Sequence, residues 1–458
     1  MTDLVGATRH TEAVRRLQAS YAAIPAGAPV RLAKRTSNLF RARARGRADA
    51  PGLDVSGLSG VIDVDLSAGT ADVQGMCTYE DLVDVTLPRG FIPFVVPQLR
   101  TITLGGAVAG LGIESTSFRN GLPHESVLEM DVLTGDGEIR TVRPGEDLFD
   151  AFPNSYGSLG YATRLRIRLE QVPAWVTLRH VRIDGGGELA RTIARVVQEA
   201  SYDGQRVDAV DGVVFEPTEA YLTLAQFTGD LGPSGDKPSD YTGMEPYFRS
   251  VQRRSTDLLT MHDYLWRWDT DWFWCSGAFG LHDPRVRRWW PRRWRRSDVY
   301  HRIVGLETRY GLKSRVDRRR GQPARERVIQ DVEVPVEQLA EFLAWFDAEV
   351  GMRPVWLCPL RSSRAWPAYP LRPGATYVNV GFWGTLAIKP GRRDGDYNRA
   401  IEAKVSEIGG HKSLYSDAYY DRDTFDLLYD QSFVRSVRKH TDPDRRLTGL
   451  YEKAVGRR

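Results

Sequence analysis

The stretch PQLRTITLGGAVAGLGIESTS, residues 97–117, combines four glycines with small or apolar side chains and ends in one acid and three hydroxyls. Glycine has no Cβ, so its backbone can approach a ligand closely. The glycine spacing differs from the G-x-G-x-x-G fingerprint of dinucleotide-binding Rossmann folds. We interpret the stretch as a ligand cradle, with a tight turn between two packed elements as the alternative.

Within this stretch, the pattern P-x-x-x-x-I-T-L-G-G-x-x-x-G-x-G-I-E-S resembles the flavin-binding segment of FAD-linked oxidoreductases of the vanillyl-alcohol oxidase type, and within them the Δ24-sterol reductase branch. The resemblance extends through 120–122, 127–142 and 156–160, and returns at 354–359 and 414–419. It implies an α+β fold, with a two-subdomain FAD-binding domain of the PCMH type and an antiparallel-sheet cap domain that covers the substrate.

Composition narrows the class of protein only a little. The 458 residues can form two or three domains, and the formal net charge of +4 excludes no partner. Three cysteines far apart in sequence form neither a disulfide framework nor a zinc site, which fits a reducing compartment, and we expect no metal.

The N-terminus has no apolar signal region, unlike the anchored Δ24-sterol reductases of animals. We therefore expect a cytoplasmic protein that contacts the inner face of the plasma membrane peripherally.

Strand and helix patterns predict the domain boundaries. Alternation predicts hairpins over 60–78 and 127–142, an apolar strand over 91–96, and a half-buried strand around 164–169. Thr78 is expected to cap a short helix. From residue 173 the pattern changes to longer strands and two amphipathic helices. We predict an FAD domain over 1–172, a cap domain over 173–410, and a segment over 411–458 that returns to the FAD domain.

The resemblance implies a set of cofactor-binding residues. They are Lys34, Arg35, Thr36 and Ser37 in a first phosphate loop, then Thr103, Gly105, Gly106, Gly110, Gly112, Ile113, Glu114 and Ser115, and finally Gly157, Ser158 and Gly160. For each of these the alternative is a packing, turn or solvated-loop residue, most strongly for Ser158 and least for Gly105 and Gly106. Residues 28–120 contain no histidine and only one cysteine, Cys77, so we expect FAD to be bound non-covalently.

An isolated carbon–carbon double bond must be protonated before hydride can reduce it, so the site needs a positioned acid. The candidates are Glu114, Tyr415 and Tyr419, followed by Asp417 and His124. Burial in the cradle would raise the pKa of Glu114, although a flavin or backbone ligand is an equally good role for it. Arg361 is a candidate for binding an acidic head group of the substrate.

Residues 266–296 hold seven of the twelve tryptophans, and the piece RVRRWWPRRWRR at 285–296 holds seven arginines and no acid. Tryptophan and arginine together favour an anionic membrane surface. The alternatives are an ordinary cap-domain surface, nearly as well supported, and nucleic acid, which we rank last and do not expect as a partner.

These patterns and the resemblance together predict an FAD-dependent reductase of a lipid double bond, with NADPH as a transient reductant. The substrate we favour is a 10-methylene fatty acyl chain on phospholipid, as in the flavin reductases of tuberculostearic (10-methylstearic) acid synthesis, with a methyltransferase dependent on S-adenosylmethionine as partner. The alternatives are a Δ24-sterol-type reductase, an FAD-dependent sugar or alcohol oxidase on the same fold, and a flavin-free basic module.

Overall fold

The computed structural model of the chain describes residues 4–33, 40, 52–230, 237–310 and 323–455, without the side chains of 304–310. Two antiparallel sheets, each covered by helices, account for most of these residues. This mixture of separate helices and antiparallel strands confirms the predicted α+β class.

The first sheet is built from residues 61–171. Its strands are β1 (Val61–Asp65), β2 (Thr70–Gln74), β3 (Phe91–Pro93), β4 (Val127–Leu133), β5 (Ile139–Val142) and β6 (Tyr161–Gln171). The order is β1-β2-β6-β4-β5, and β3 pairs with β6. Both predicted hairpins are present as β1–β2 and β4–β5. Thr78 caps the helix Tyr79–Thr86 as expected, since its Oγ1 accepts a hydrogen bond from the Asp81 amide at 3.1 Å.

The strand predicted over 91–96 is shorter than expected and ends at Pro93. Beyond it, the Phe94 carbonyl accepts hydrogen bonds from the side chains of Thr116 at 2.9 Å and Asn120 at 2.8 Å. Side chains around the glycine stretch therefore replace a neighbouring strand, and the backbone leaves the sheet toward that stretch.

The second sheet has eight strands and every neighbouring pair is antiparallel. Its strands are β7 (Trp175–Ile183), β10 (Ala209–Glu216), β11 (Glu219–Thr228), β12 (Thr256–Thr260), β13 (Arg325–Pro335), β14 (Val355–Leu360), β15 (Tyr377–Ala387) and β16 (His411–Lys412), while β8 (Ser201–Tyr202) and β9 (Gln205–Arg206) form a small ribbon. The order is β12-β7-β11-β10-β14-β15-β13-β16. The change from one sheet to the other thus falls between Gln171 and Trp175.

Helices cover both sheets. The α-helices are Gly6–Ala22, Tyr79–Thr86, Leu104–Ala109, Ser117–Asn120, Asp147–Ala151, Gly186–Glu199, Tyr247–Arg253, Met261–Leu265, Pro284–Trp289, Ser297–Tyr310, Leu339–Glu349, Asp396–Glu407, Arg422–Leu428, Gln431–Thr441 and Leu450–Ala454. Short 3₁₀ helices are Leu87–Arg89, Pro123–Ser126, Asp269–Asp271, Cys275–Phe279, Arg292–Trp294 and Val336–Gln338. The two predicted amphipathic helices, Gly186–Glu199 and Leu339–Glu349, bury their apolar faces in one core with the second sheet.

The C-terminal segment joins both halves of the molecule. Its first residues, His411 and Lys412, pair with β13 in the second sheet. Its last helix contacts the first half, where Lys453 Nζ donates to the Tyr156 carbonyl at 2.9 Å. The predicted boundaries at 172 and 410 stay predictions, but the last strand of the second sheet lies just past residue 410.

Buried polar contacts around Arg267 join the glycine stretch to the second sheet. Arg267 Nη2 lies 2.9 Å from Asp211 Oδ2 on β10 and 3.7 Å from Glu114 Oε1. The side chains of Arg267 and Asp211 are each only 1% exposed. The Val210 amide also donates to the Ser115 carbonyl at 2.8 Å. These contacts fix the two halves against each other.

Among the described residues, no helix has both the length and the hydrophobicity to cross a bilayer.

We predict that Asp211→Asn lowers the free energy of unfolding by about 3–5 kcal/mol, because it leaves the buried Arg267 without its nearest carboxylate. Asp184→Asn is the matched control, since Asp184 is 73% exposed in its pair with Arg182. Removing an exposed pair changes the free energy by at most about 1 kcal/mol. Urea unfolding curves compare the two variants, and equal losses would contradict the role given to the buried pair.

Candidate active site

A cavity of about 1320 Å³ lies between the glycine stretch and the second sheet. Typical small-molecule sites enclose about 300–1,000 Å³. The cavity therefore has room for a large ligand together with part of a second one. Three groups of residues form its walls: the glycine stretch, the strands β13–β15 with the segment after β16, and an aromatic cover.

The glycine stretch supplies the first wall through its backbone. Thr103, Gly105, Gly106, Gly110, Gly112 and Ile113 all line the cavity, and their contact with the cofactor stays a prediction. The Thr103 side chain caps the short helix Leu104–Ala109. Beyond this helix, the amides of residues 111–113 donate no hydrogen bond to any part of the chain that the structure describes. Three consecutive amides beside a cavity can donate to ligand oxygens or nitrogens.

Close packing also requires glycine at some positions of the stretch. A Cβ on Gly105 would lie 2.6 Å from the Gly75 carbonyl oxygen, and one on Gly112 would lie 2.9 Å from Pro97 Cγ. Close packing of neighbouring segments thus contributes at Gly105, where we expected the ligand to be the main reason. Gly157 and Gly160 adopt φ of 76° and 134°, which other residues rarely reach, and both line the cavity.

Cationic side chains border the same cavity. Arg31 and Lys453 line it, together with Tyr156 and Tyr161. A diphosphate requires positive charge and N–H donors of this kind. The predicted phosphate loop, Lys34, Arg35, Thr36 and Ser37, lies outside the described residues, but its neighbours Leu32 and Phe40 line the cavity on either side of it in sequence.

The second sheet supplies a carboxylic acid. Asp331 on β13 lines the same cavity as the glycine stretch, and burial raises its pKa to about 7, although hydrogen bonds with Asn379 and Tyr415 lower it. At neutral pH a substantial fraction of Asp331 is therefore protonated. Burial also raises the pKa of Tyr415 well above its usual value, so its hydroxyl stays protonated. Trp383 Nε1 donates to the Tyr415 oxygen at 2.7 Å.

Aromatic rings line the same cavity as this acid. Phe273 and Trp383 have ring centroids 4.4 Å apart, Trp274 and Trp383 5.3 Å, and Phe273 and Trp356 5.5 Å. All four rings line the cavity, and the cover continues through Cys275 to Phe279. The face of an aromatic ring attracts positive charge. The cavity therefore offers an apolar site in which a cation would still be stabilised.

The tryptophan-rich segment divides into an interior part and a surface part. Trp266 and Trp268 are each 1% exposed, and Trp272 and Trp274 line the cavity. The prediction of a membrane surface therefore does not hold for these four tryptophans, because they pack against the core and the cavity. Trp289 and Trp294 remain exposed.

Glu114 and Ser115 do not line the cavity. The Glu114 carboxylate faces Arg267, and the Ser115 hydroxyl lies 2.8 Å from the Tyr264 hydroxyl. Burial raises the pKa of Glu114 to about 7, against the lowering effect of Arg267. Their geometry fits a junction between the two halves, and their contact with cofactor or substrate stays a prediction.

Other predicted residues also lie away from the cavity wall. Ser158 is fully buried. Arg361 Nε donates to Thr376 Oγ1 at 3.1 Å, and Asp417 pairs with Arg327 at 2.7 Å. Tyr419 stacks under the Arg399 guanidinium. His124 packs against Trp366, with ring centroids 4.4 Å apart. Of the predicted acids, only Tyr415 lines the cavity.

Asp331 was missed from the sequence. A local signal existed, because Asp331 and Glu333 alternate with Val332 and Val334, which places two acids on one face of a strand whose other face is core. Single acids in strands are common, however, and only the pairing of β13 with the segment near Tyr415 turns this face toward the glycine stretch.

The site fits FAD. The amides of residues 111–113, which donate to no described residue, the cations Arg31 and Lys453, and the cavity volume provide what a flavin and its diphosphate need. Cys77 is fully buried and outside the cavity, and burial raises the pKa of its thiol. In the part of the described cavity wall that the glycine stretch forms, no cysteine is therefore placed to bond covalently to the flavin.

Comparisons with known proteins agree with this geometry. Residues 5–143 match the family model of the FAD binding domain. Two relatives are the Δ24-sterol reductases of Rattus norvegicus, 26% identical over 86% of this chain and 76% of that protein, and of Homo sapiens, 25% identical over the same shares. Cytokinin dehydrogenase 10 of Oryza sativa subsp. japonica is 36% identical over 30% of this chain and 28% of its own length. The chain thus carries an FAD-binding domain and has Δ24-sterol reductases as homologues over most of its length.

Proposed function

We propose that the protein is an FAD-dependent reductase of an isolated carbon–carbon double bond in a lipid, of the Δ24-sterol reductase type. The observation that carries this proposal is that Asp331, a carboxyl with a pKa of about 7, lines the same cavity as the glycine stretch. A polyol or alcohol oxidase would use such a carboxyl as a base, but the aromatic and aliphatic side chains that line this cavity favour an alkene over a polyol as substrate.

FAD supplies hydride chemistry when bound, and we propose NADPH as the source of its electrons. The chain's own contribution begins with holding the cofactor through residues 103–113 and Lys453. The aromatic rings around Trp383 then exclude water from the apolar part of the cavity.

Asp331 performs the proton chemistry. Its carboxyl proton passes to the less substituted carbon of the double bond, whose electron pair forms the new C–H bond and leaves a tertiary cation on the other carbon. Bound FAD would supply the hydride that this cation needs, and the Asp331 carboxylate regains its proton from solvent. The rings of Phe273, Trp356 and Trp383 stabilise the cation by about 0.5–2 kcal/mol each where they face it. Tyr415 positions the acid through its hydrogen bond.

The homologues favour a sterol side chain over the 10-methylene acyl chain that we expected from the sequence. Reduction of the acyl chain is a more specific hypothesis for the same reaction. A partner methyltransferase is proposed only under that hypothesis. Both substrates present an isolated alkene that forms a tertiary cation on protonation.

The direct test follows the flavin absorbance of the purified protein in the absence of oxygen. NADPH should bleach the flavin absorbance, and a Δ24-sterol should restore it with formation of the saturated product. A 10-methylene phospholipid tested in parallel separates the two substrates. Bleaching by a polyol, with peroxide formed in air, would instead identify an oxidase.

We predict that Asp331→Asn slows flavin reoxidation by the alkene about 100-fold or more, the usual size of a general-acid contribution. Flavin reduction by NADPH should be unchanged, because it requires no proton from Asp331.

In the unsubstituted protein the alkene step should slow as pH rises through about 7, since the protonated acid disappears. A pH-independent alkene step would contradict this role.

Tyr415→Phe provides the matched test of positioning. The Tyr415 hydrogen bond lowers the pKa of Asp331, so its loss should move the falling limb of the pH profile to higher pH. If the rate fell while the pH of the falling limb stayed the same, Tyr415 would have only a structural role.

We also predict that the flavin is released into the supernatant when the purified protein is precipitated with acid. The reason is that Cys77 is fully buried and does not line the cavity. Absorbance of pellet and supernatant measures the partition, and flavin that stays with the pellet would contradict non-covalent binding.

A further inference from the structure

The segment Val286–Trp294 exposes an unusual amount of apolar surface. Among the described residues, five large hydrophobic side chains are exposed, and three of them lie here: Val286 at 42%, Trp289 at 85% and Trp294 at 48%. A side chain as large as tryptophan rarely remains so exposed unless it meets a partner.

Buried arginines hold this segment in place. Arg287 pairs with Asp271 at 2.6 Å and donates to the Met244 carbonyl at 2.6 Å. Arg295 donates to the Trp290 carbonyl at 3.1 Å. The exposed tryptophans therefore stand on a fixed platform, and their exposure is not the result of a loose loop.

Other arginines of the same segment face solvent. Arg285, Arg288 and Arg293 are exposed and have no ion-pair partner among the described residues. Arg292 pairs only loosely with the exposed Asp240, at 3.6 Å. Apolar rings and cations thus share one surface, which we call the Trp289 patch (Arg285, Val286, Arg288, Trp289, Arg293 and Trp294).

The Trp289 patch adjoins the cover of the cavity. Phe279 lines the cavity and stacks on Tyr300, with ring centroids 5.6 Å apart. Trp290 lies against the same Tyr300 ring at 6.3 Å. One ring therefore connects the cavity cover to the segment that carries the patch.

We propose that the Trp289 patch docks on the surface of an anionic lipid bilayer. Tryptophan is most stable at the headgroup level, where its ring is buried and its N–H stays hydrated. Arginines near the surface are attracted by acidic lipids by about 1 kcal/mol each. The exposed Val286 favours a bilayer over a nucleic acid, whose phosphates and bases leave an aliphatic side chain without a partner. This proposal depends on the patch alone and not on the proposed function.

Cosedimentation with vesicles tests the proposal on the full-length protein. The vesicles are pure phosphatidylcholine, or phosphatidylcholine with one quarter phosphatidylserine. We expect binding to the acidic vesicles and at least tenfold weaker binding to the neutral ones. Trp289→Ser with Trp294→Ser should weaken binding to acidic vesicles at least tenfold, and Arg288→Gln and Arg293→Gln should each weaken it about fivefold.

Matched controls lie elsewhere on the surface. Leu427→Ser removes a side chain that is 83% exposed, and Arg191→Gln removes an arginine that is 73% exposed, both outside the patch. Neither should change vesicle binding. Thermal midpoints equal to that of the unsubstituted protein verify folding of every variant.

Three outcomes would overturn the proposal. The first is absence of binding to acidic vesicles, and the second is binding that the control variants weaken as much as the patch variants. The third is displacement of the protein from vesicles by single-stranded DNA, together with loss of DNA binding in the tryptophan variants, which would make the patch a nucleic-acid site. Because binding is measured without turnover, the result is independent of whether any alkene is reduced.

Discussion

The buried contact between Arg267, Asp211 and Glu114 is the constraint on which the rest of the structure depends. A guanidinium with so little exposure is stable only beside a carboxylate, because water cannot solvate it. Glu114, 3.7 Å from the same guanidinium, and the hydrogen bond from Val210 to Ser115 join the end of the glycine stretch to this pair and to β10. The cavity lies between the two halves that these contacts join, and both residues 111–113 and Asp331 line it.

Much of the fold follows from local patterns. Alternation located the hairpins β1–β2 and β4–β5, and helical periodicity identified the buried faces of Gly186–Glu199 and Leu339–Glu349. These signals are local, since the period of a strand or helix is written in its own residues. The glycine stretch was recognised for the same reason, and its backbone lines the cavity as expected.

The acid was not predictable, because its position depends on contacts distant in sequence. Glu114 lies next to the cradle in sequence, yet its side chain turns to Arg267, about 150 residues away in the chain. Asp331 reaches the cavity only through the pairing of β13 with β15 and β16. The burial of the tryptophans was not predictable either, because it also depends on contacts distant in sequence. Trp268 is buried in the core and Trp289 is exposed, although both belong to one aromatic, basic segment.

The central claim is that the flavin ring and Asp331 share one cavity. A crystal structure of the FAD-loaded protein tests it most directly. We expect the isoalloxazine to lie against the backbone of residues 111–113, with open space between its reactive face and the Asp331 carboxyl. A flavin ring in another part of the molecule, or protein atoms filling the space between ring and carboxyl, would contradict the account.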